Sequence, residues 1–480
     1  MNAWIENEFA TADLGDRRLK ERLKVVASRI FDKPQASIKS ALRGWAEVIG
    51  AYRLFNNRNV TVEAVLAPHR DAVLERVKEH QRVLVVQDTS ELDYTTKSKL
   101  KGKGPLSDLS RTGFFAHNHL IVTPEGLALG VWDTVIYARD EKEHGKSEDR
   151  KQKPIEEKES NRWLEGYRQA CRLAQLAPQT EVISCADREG DIYEVFEDWH
   201  QRSAQGEKAA QLLIRLRQDR RIVADPEEVQ PKLLAKLSAC PLLGTLCVHV
   251  KKKTQYKKDK NGSRHKQIRS ARKAIVEIRA TDVTLVPPAR PDRKLSKISL
   301  HVVLAKEKAP PTGEDPICWV LLTTLKADDF QGNLEIVRLY AERWGIECFH
   351  RVLKTGCKVE ELQLKEDESI KPAIALYMII AWRVMYVTKL GRECPDLPCD
   401  VVFEEEEWKA LCVIAHGRQA LKSKPSLGRF ILLVAQFGGY LGRKADGPPG
   451  AQAIWIGMSR VIDFALAWKK FQEHQLLVEP

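Results

Sequence analysis

The sequence predicts an α/β protein: a mixed-sheet core carrying a β-rich insertion, flanked by helical segments at its N and C termini. Three patterns predict it. Apolar residues recur at helical spacing through residues 1–70, short β-branched and apolar runs alternate with helical stretches from about residue 82, and helical spacing returns beyond about residue 366.

In the N-terminal segment Leu19, Leu23, Val26 and Ile30 share one helix face, with Arg17, Arg18, Lys20, Arg22 and Lys24 between them. The result is a small basic helical module whose charges suit either a solvated face or a nucleic-acid contact. Residues 83–86, Val-Leu-Val-Val, read as a strand buried on both faces, and the run leads directly to Asp88. Stretches 114–122 and 127–137 are apolar and separated by the turn signal Pro124-Glu125-Gly126, so the three runs predict an antiparallel meander.

Residues 140–160 are dense in opposite charges and are expected to begin as a mobile loop, after which Trp163, Tyr167, Cys171 and Ala174 keep helical spacing. A strand over 181–186 ends in Asp187-Arg188-Glu189-Gly190-Asp191. A helix marked by Ile192, Val195, Phe196 and Trp199 follows, and then a strand at 211–216. Three antiparallel strands followed by alternating helix and strand are the arrangement of ribonuclease-H-like cores. Residues 220–316 interrupt it with short β segments, including an Asn261-Gly262 hairpin-turn signal. A strand at 317–325 returns to the core, and one unbroken helix is expected from Asn333 to Lys358. The predicted division is a basic helical module at 1–70, a core at 71–365 with the insertion at 220–316, and a helical C-terminal domain at 366–480.

A length of 480 residues exceeds one compact core. Hydrophobic residues at 43% and charged residues at 30% are a globular balance. Lys and Arg number 78 against 66 Asp and Glu, a formal charge of +12 that favours a polyanionic partner without saying which. Residues 251–273 hold eleven Lys or Arg and one acidic residue, Asp259, so most of the excess is local to the predicted hairpin. The ten cysteines are scattered, and Cys394 with Cys399, the closest pair, has no second pair or histidine cluster to complete a zinc set. Free buried thiols are expected. The first residues show no basic-then-apolar signal segment, which points to a reducing cytosol. The most membrane-like stretch, 373–387, is interrupted by Arg383 and reads as a buried helix, with no membrane partner.

On the expected helix 333–358, Tyr340, Arg343, Glu347, His350, Arg351 and Lys354 fall on one stripe, and Leu339, Ile346, Phe349 and Leu353 on another. Alone, the first stripe suits a solvated polar face. One carboxylate among cationic and hydrogen-bonding groups also suits a metal ligand beside a grip on phosphates. A single Glu cannot hold two metal ions, so the second reading needs carboxylates from the sheet, and Asp88 and Asp187 are the candidates. Each alone is equally a turn or cap residue. Two metals about 3.5–4 Å apart on these three carboxylates would activate a water or 3′-hydroxyl and stabilise the leaving oxygen of an in-line displacement. Glu189 is placed behind the ligands, and Asp191 is read as a helix cap. The run Ala116-His117-Asn118-His119 spells the name of a nuclease motif. It is set aside, because the residues of that motif are dispersed over a ββα-metal element and no third ligand stands near His117 and His119.

Tyr340-x-x-Arg343-x-x-x-Glu347 followed by Lys354 resembles the Tyr-Arg-Glu-Lys signature of bacterial insertion-sequence DDE transposases, the hairpin-forming, IS4-like and Tn5-like cut-and-paste family. Asp187-Arg188-Glu189 is similar to that family's second-aspartate motif and Gln87-Asp88-Thr89 to its first. The likeness extends to Leu14-Gly15-Asp16, Gly438-Gly439-Tyr440 and Asp446-Gly447-Pro448-Pro449-Gly450. The resemblance implies Asp88, Asp187 and Glu347 as ligands of Mg2+, with Mn2+ substituting. It places Tyr340, Arg343 and Lys354 on phosphates around the cleavage site, with His350 and Arg351 among the DNA-contacting groups. Arg351 stands where close relatives carry Lys, and the charge is kept. Trp319 aligns with the tryptophan that receives a flipped base, although a core aromatic on a strand has the same signature. Arg22 and Arg215 are similarly placed to further DNA-contacting residues.

The resemblance implies a DNA-binding domain at 1–70, a ribonuclease-H-like catalytic core at 71–365 and a dimerisation domain at 366–480, with double-stranded DNA, as element ends and target, and a second copy of the chain as partners in a synaptic complex in the bacterial cytoplasm, associated with the nucleoid. Two readings compete with an active transposase: a transposase-derived DNA-binding protein or inhibitor without cleavage, and a ribonuclease-H-like nuclease or resolvase without strand transfer.

Overall fold

The computed structural model describes residues 3–140, 153–223, 232–250, 253–258, 264–417, 423–443 and 446–474, with backbone alone for 253–258 and 264–269. Its contacts divide the chain into two compact units: Met1–His80, Asp88–Gly145 and Trp344–Pro480 in the first, Gln81–Gln87 and Lys146–Arg343 in the second. Among the described residues ten strands make a mixed sheet, and helices lie before and after them in the chain, as the α/β reading predicts.

The first unit begins with the helices Ala3–Glu8, Arg17–Asp32, Trp45–Phe55 and Val62–Lys78. Leu23, Val26 and Ile30 are buried, as their spacing requires. Asp16 caps the second helix, its Oδ1 accepting the Arg18 N–H at 2.7 Å. Strand β1 (Arg82–Asp93) enters this unit at Asp88. It is longer than the apolar run suggested, so Asp88 lies within the strand and not at its end. Strand β3 (Thr112–Val122) runs antiparallel to both β2 (Gly104–Pro105) and β4 (Ala128–Tyr137). The Tyr94 N–H donates to Thr112 O at 2.9 Å, so the end of β1 meets the start of β3, the antiparallel meander predicted.

The C-terminal part of this unit is helical: Trp344–Arg351, Asp367–Glu393, Glu405–His416, Leu427–Phe437 and Ala451–Glu473. Asp367–Glu393 is long and apolar enough to cross a membrane by length and composition, yet 78% of its most apolar window is buried inside the protein. Cys399 is a buried free thiol as expected, whereas Cys394 is exposed, because it follows the last turn of that helix.

In the second unit residues 83–86 of β1 are fully buried, which explains their unbroken apolar character. Strand β1 pairs in parallel with β5 (Glu181–Ala186), rung by rung from Arg82↔Glu181 to Gln87↔Ala186. Strand β5 pairs in parallel with β6 (Gln211–Arg215). Antiparallel pairings then run from β6 to β12 (Cys318–Thr323), to β11 (Ile298–Glu307), to β10 (Arg272–Leu285) and to β7 (Gly244–Val250). The insertion therefore extends the core sheet through β12. Strands β8 (Lys253–Lys258) and β9 (Arg264–Arg269) form a separate antiparallel pair, and the Asn261-Gly262 turn lies outside the described residues, as do 141–152 of the expected loop.

Two expectations are corrected. The helix 333–358 is broken into Phe330–Ala341, Trp344–Arg351 and a π-turn at Val352–Gly356. Tyr340 and Phe349 are both buried, but nine residues at 100° each would set them roughly 180° apart on one straight helix. The break at 342–343 resolves that conflict. Asp191 does not cap the helix Tyr193–Ala204, whose N-cap is Ile192. Its buried carboxylate instead accepts from Arg220 Nε at 2.9 Å and from the Arg217 N–H at 2.8 Å, tying the turn after β5 to the chain after β6.

A polar knot joins the N-terminal helices of the first unit to its sheet and long helix. Arg76 donates to both oxygens of the buried Glu8, at 3.0 and 2.9 Å, and lies 4.4 Å over the Trp382 ring. Nε2 of the buried His69 accepts the Val131 N–H at 2.9 Å, so Nδ1 carries the proton that it donates to Glu8. Burial opposes ionisation of Glu8, yet His69 and Arg76 together hold its carboxyl well below the usual carboxylate range. A depressed carboxylate contributes stability above its unfolded value near 4.5, and that stability is lost as pH falls through the folded value. Glu8→Gln is accordingly expected to cost roughly 2–3 kcal/mol at pH 7 and to flatten the acid limb of stability below pH 5, read from denaturant midpoints across pH.

Candidate active site

In the first unit, Asp88 is half-buried within β1, and its Oδ1 accepts the Thr89 N–H at 2.8 Å. Glu347 is half-buried on Trp344–Arg351, whose apolar residues Ile346 and Phe349 pack inward. His350, one turn further on, meets Asn118 of β3, Nε2 to Nδ2 at 2.9 Å. Arg351 is exposed. Lys354 lies in the π-turn, with its Nζ 3.5 Å from Glu360 Oε1. Glu360 also accepts the Asp93 N–H at 2.8 Å, so this carboxylate anchors the lysine to the end of β1. Arg22 packs over Gly50, where a Cβ would come within 3.2 Å of its Nε. With Arg17 and Arg18 it lines a surface groove of about 730 Å³.

In the second unit, Asp187 directly follows β5, its Oδ1 accepting the Glu189 N–H at 2.8 Å. Glu189 is exposed and paired with Arg162 at 3.0 Å. Tyr340 is buried, edge-on to Trp319 with ring centroids 5.2 Å apart. Burial pushes its phenol up to about 12; Cys185 and Asp187 add to the shift, while Arg343 and Arg215 oppose it. Burial likewise lifts the Cys185 thiol to about 12, against the Arg343 charge. Asp187, Arg215, Arg343, Tyr340 and Cys185 therefore share one electrostatic environment. Arg215 donates through Nη2 to Cys318 O at 3.0 Å, and burial pulls its guanidinium down from its ordinary value. Arg215 Nε and Tyr340 Oη are both buried without a hydrogen-bond partner. Unsatisfied donors beside an arginine and an aromatic ring suit a phosphate or base edge that completes them.

The sheet register bears on the two aspartates. Gln87 and Ala186 are the last partners of the parallel β1–β5 ladder, and Asp88 and Asp187 are the residues that follow them. Asp88, Asp187 and Glu347 offer only hard oxygen donors, the chemistry that Mg2+ and Mn2+ take. Among the described residues no three His, Cys, Asp or Glu side chains stand close enough together to hold a metal ion as they are placed.

Sequence reasoning missed Asn118, whose run was set aside, and Glu360. Neither carries a local signal, since each acts on a partner more than 200 residues away or across a broken helix. An unsatisfied buried hydroxyl costs stability. Tyr340→Phe is expected to raise the stability of the free protein by about 1 kcal/mol, read as a higher denaturant midpoint at unchanged slope.

Three families match along the chain, in order. Residues 1–60 match the family described as transposase DNA-binding, residues 196–383 the transposase DDE domain, and residues 379–472 the transposase Tn5 dimerisation domain. The DDE match includes Arg215, Trp319, Tyr340, Arg343, Glu347 and Lys354 and begins after Asp187. DNA and a second copy of the chain are the partners these domains bring, and a divalent cation is the cofactor. The ribonuclease-H-like sheet, the carboxylate-bearing helix and the three matches in this order converge on one family: the chain belongs to the Tn5-like DDE transposases, metal-dependent enzymes that cleave DNA.

Proposed function

We propose that the chain cuts an insertion sequence out of DNA through a hairpin intermediate and joins its 3′ ends to a target, with Asp88, Asp187 and Glu347 as the ligands of Mg2+. The observation that carries the reading is the end of the parallel ladder, where Asp88 and Asp187 each follow a registered pair. Two cations bound there supply an activated water or 3′-hydroxyl and a stabilised leaving oxygen. The chain's own residues do the rest. Lys354, held by Glu360 beside the end of β1, offers a point charge to a phosphate, and Arg343 offers a planar fork. Tyr340 Oη and Arg215 Nε, lacking partners in the protein, donate to the backbone of the cleaved strand. Trp319, edge-on to Tyr340, is the stacking surface for an unpaired base. His350 and Arg351 extend the contact along the Glu347 helix, while Arg22, with Arg17 and Arg18, grips the element end.

In this reading residues 1–70 bind DNA, 71–365 form the catalytic core with its insertion at 220–316, and 366–480 pair two copies in a synaptic complex. The protein works in the bacterial cytoplasm on nucleoid DNA, and Mn2+ substitutes for Mg2+. Strand transfer separates this function from that of a nuclease or resolvase, because a reaction of protein, Mg2+, DNA bearing the flanking inverted repeats and a target plasmid then yields joined products.

Glu347→Ala is expected to lower cleavage by about 10³-fold or more while end binding in a gel shift stays within about threefold. Undiminished cleavage by that variant would overturn the ligand assignment. Mixing the Glu347→Ala protein with an Arg22→Glu protein that no longer binds ends is expected to restore cleavage, because each subunit acts on the end held by its partner. Activity no greater than the sum of the two alone would exclude cleavage in trans.

A further inference from the structure

The run Ala116-His117-Asn118-His119 is unused by the proposed chemistry, yet it is buried within β3 and two of its side chains reach the segments that carry Asp88 and Glu347. His117 Nδ1 lies 2.9 Å from the hydroxyl of Thr89, the residue after Asp88. Asn118, fully buried, lies on the other face of the strand, with Nδ2 2.9 Å from His350 Nε2 and 3.3 Å from Ala116 O. Its Oδ1 accepts the Thr134 hydroxyl at 2.7 Å.

The proton bookkeeping at this amide has one solution. Ala116 O can only accept, so the atom facing it is the NH2 group, and that same group faces His350. Nε2 of His350 is then the acceptor in this bond. Each polar atom of the amide has a partner of the right sense, which fixes its orientation without a rotamer choice. His350 stands three residues after Glu347, one turn along the same helix.

We propose that Asn118 is a positioning residue: through His350 it fixes the helix carrying Glu347 against the strand that, through His117, fixes the segment carrying Asp88. One strand of the first unit thus sets two of the proposed ligands, one from each of its faces. The inference rests on the reading of Asp88 and Glu347 as metal ligands. Groups that orient ligands in this way change metal affinity by about 10–100-fold when removed, because the ligands must then be ordered by the metal itself.

The test uses the full-length protein bound to DNA carrying the flanking inverted repeats, with Mn2+ as the probe. Calorimetric titration of Mn2+ and the Mn2+ concentration for half-maximal cleavage are measured for wild type, Asn118→Ala, His350→Ala, His350→Gln and Glu347→Ala. Asn118→Ala and His350→Ala are each expected to raise both values by about tenfold or more, with end affinity measured separately. His350→Gln, whose Oε1 can accept from Asn118, is expected to recover most of the loss in Mn2+ affinity read by calorimetry at saturating end DNA, where the residue's own DNA contact does not enter. If Asn118→Ala does not fold, the two His350 variants decide the matter from the solvent side. Wild-type Mn2+ affinity in Asn118→Ala or His350→Ala would overturn the inference, as would equal loss in His350→Ala and His350→Gln. Unchanged cleavage and Mn2+ binding in Glu347→Ala would overturn the underlying ligand reading instead.

Discussion

The register of one parallel strand pair constrains the rest. Four consecutive residues of β1, 83–86, are fully buried, and a slip of one residue along β5 would exchange the faces to which they point and place Asp88 opposite Ala186, inside the ladder. Gln87 reinforces the register, its Nε2 donating to Ser184 Oγ at 2.8 Å. The ladder stops at Gln87↔Ala186 because the chain after Ala186 turns into a short helix capped at its N-terminus by Asp187. Beyond that point β1 continues toward β3, whose His117 meets the Thr89 hydroxyl.

Buried polar groups tie the elements of each unit together at specific points. Glu8, His69 and Arg76 bring the N-terminal helices onto Trp382 and β4, so the family-matched DNA-binding segment is tied to the long helix of its own unit. Asp191 and Arg220 do the same for the turn after β5. In each case a buried carboxylate, Glu8 or Asp191, depends on its partners, so losing them leaves an unpaired group in the interior. Such networks specify geometry at the expense of tolerance to substitution.

The broken helix shows how local pattern yields to packing. At 100° per residue the sequence places Tyr340, Glu347 and Lys354 on one stripe, and a straight helix is the natural reading of it. The chain instead turns at 342–343 and widens at Val352–Gly356, where a Cβ on Gly356 would come within 3.0 Å of the Trp455 ring. Tyr340 is thereby buried against Trp319 with its hydroxyl unsatisfied, while Lys354 is handed to Glu360. Both outcomes leave groups poised for a ligand, a frequent property of sites where local rules are broken.

The sequence by itself determined the α/β class, the helical ends, the strand runs at 83–86, 114–122, 127–137, 181–186 and 211–216, and the family, because burial on both faces and signature spacing are local properties that survive without coordinates. The match to a DDE domain and the helices at both ends agree with that reading. Tertiary structure alone decided what depends on residues far apart in the chain: that β1 outlasts its apolar run, that Asp191 belongs to Arg220 and not to a helix cap, and that Asn118 and Glu360 hold His350 and Lys354. Periodicity reports which face of an element is apolar. It carries no information on which distant side chain completes a hydrogen bond, and around the proposed ligands those bonds set the geometry.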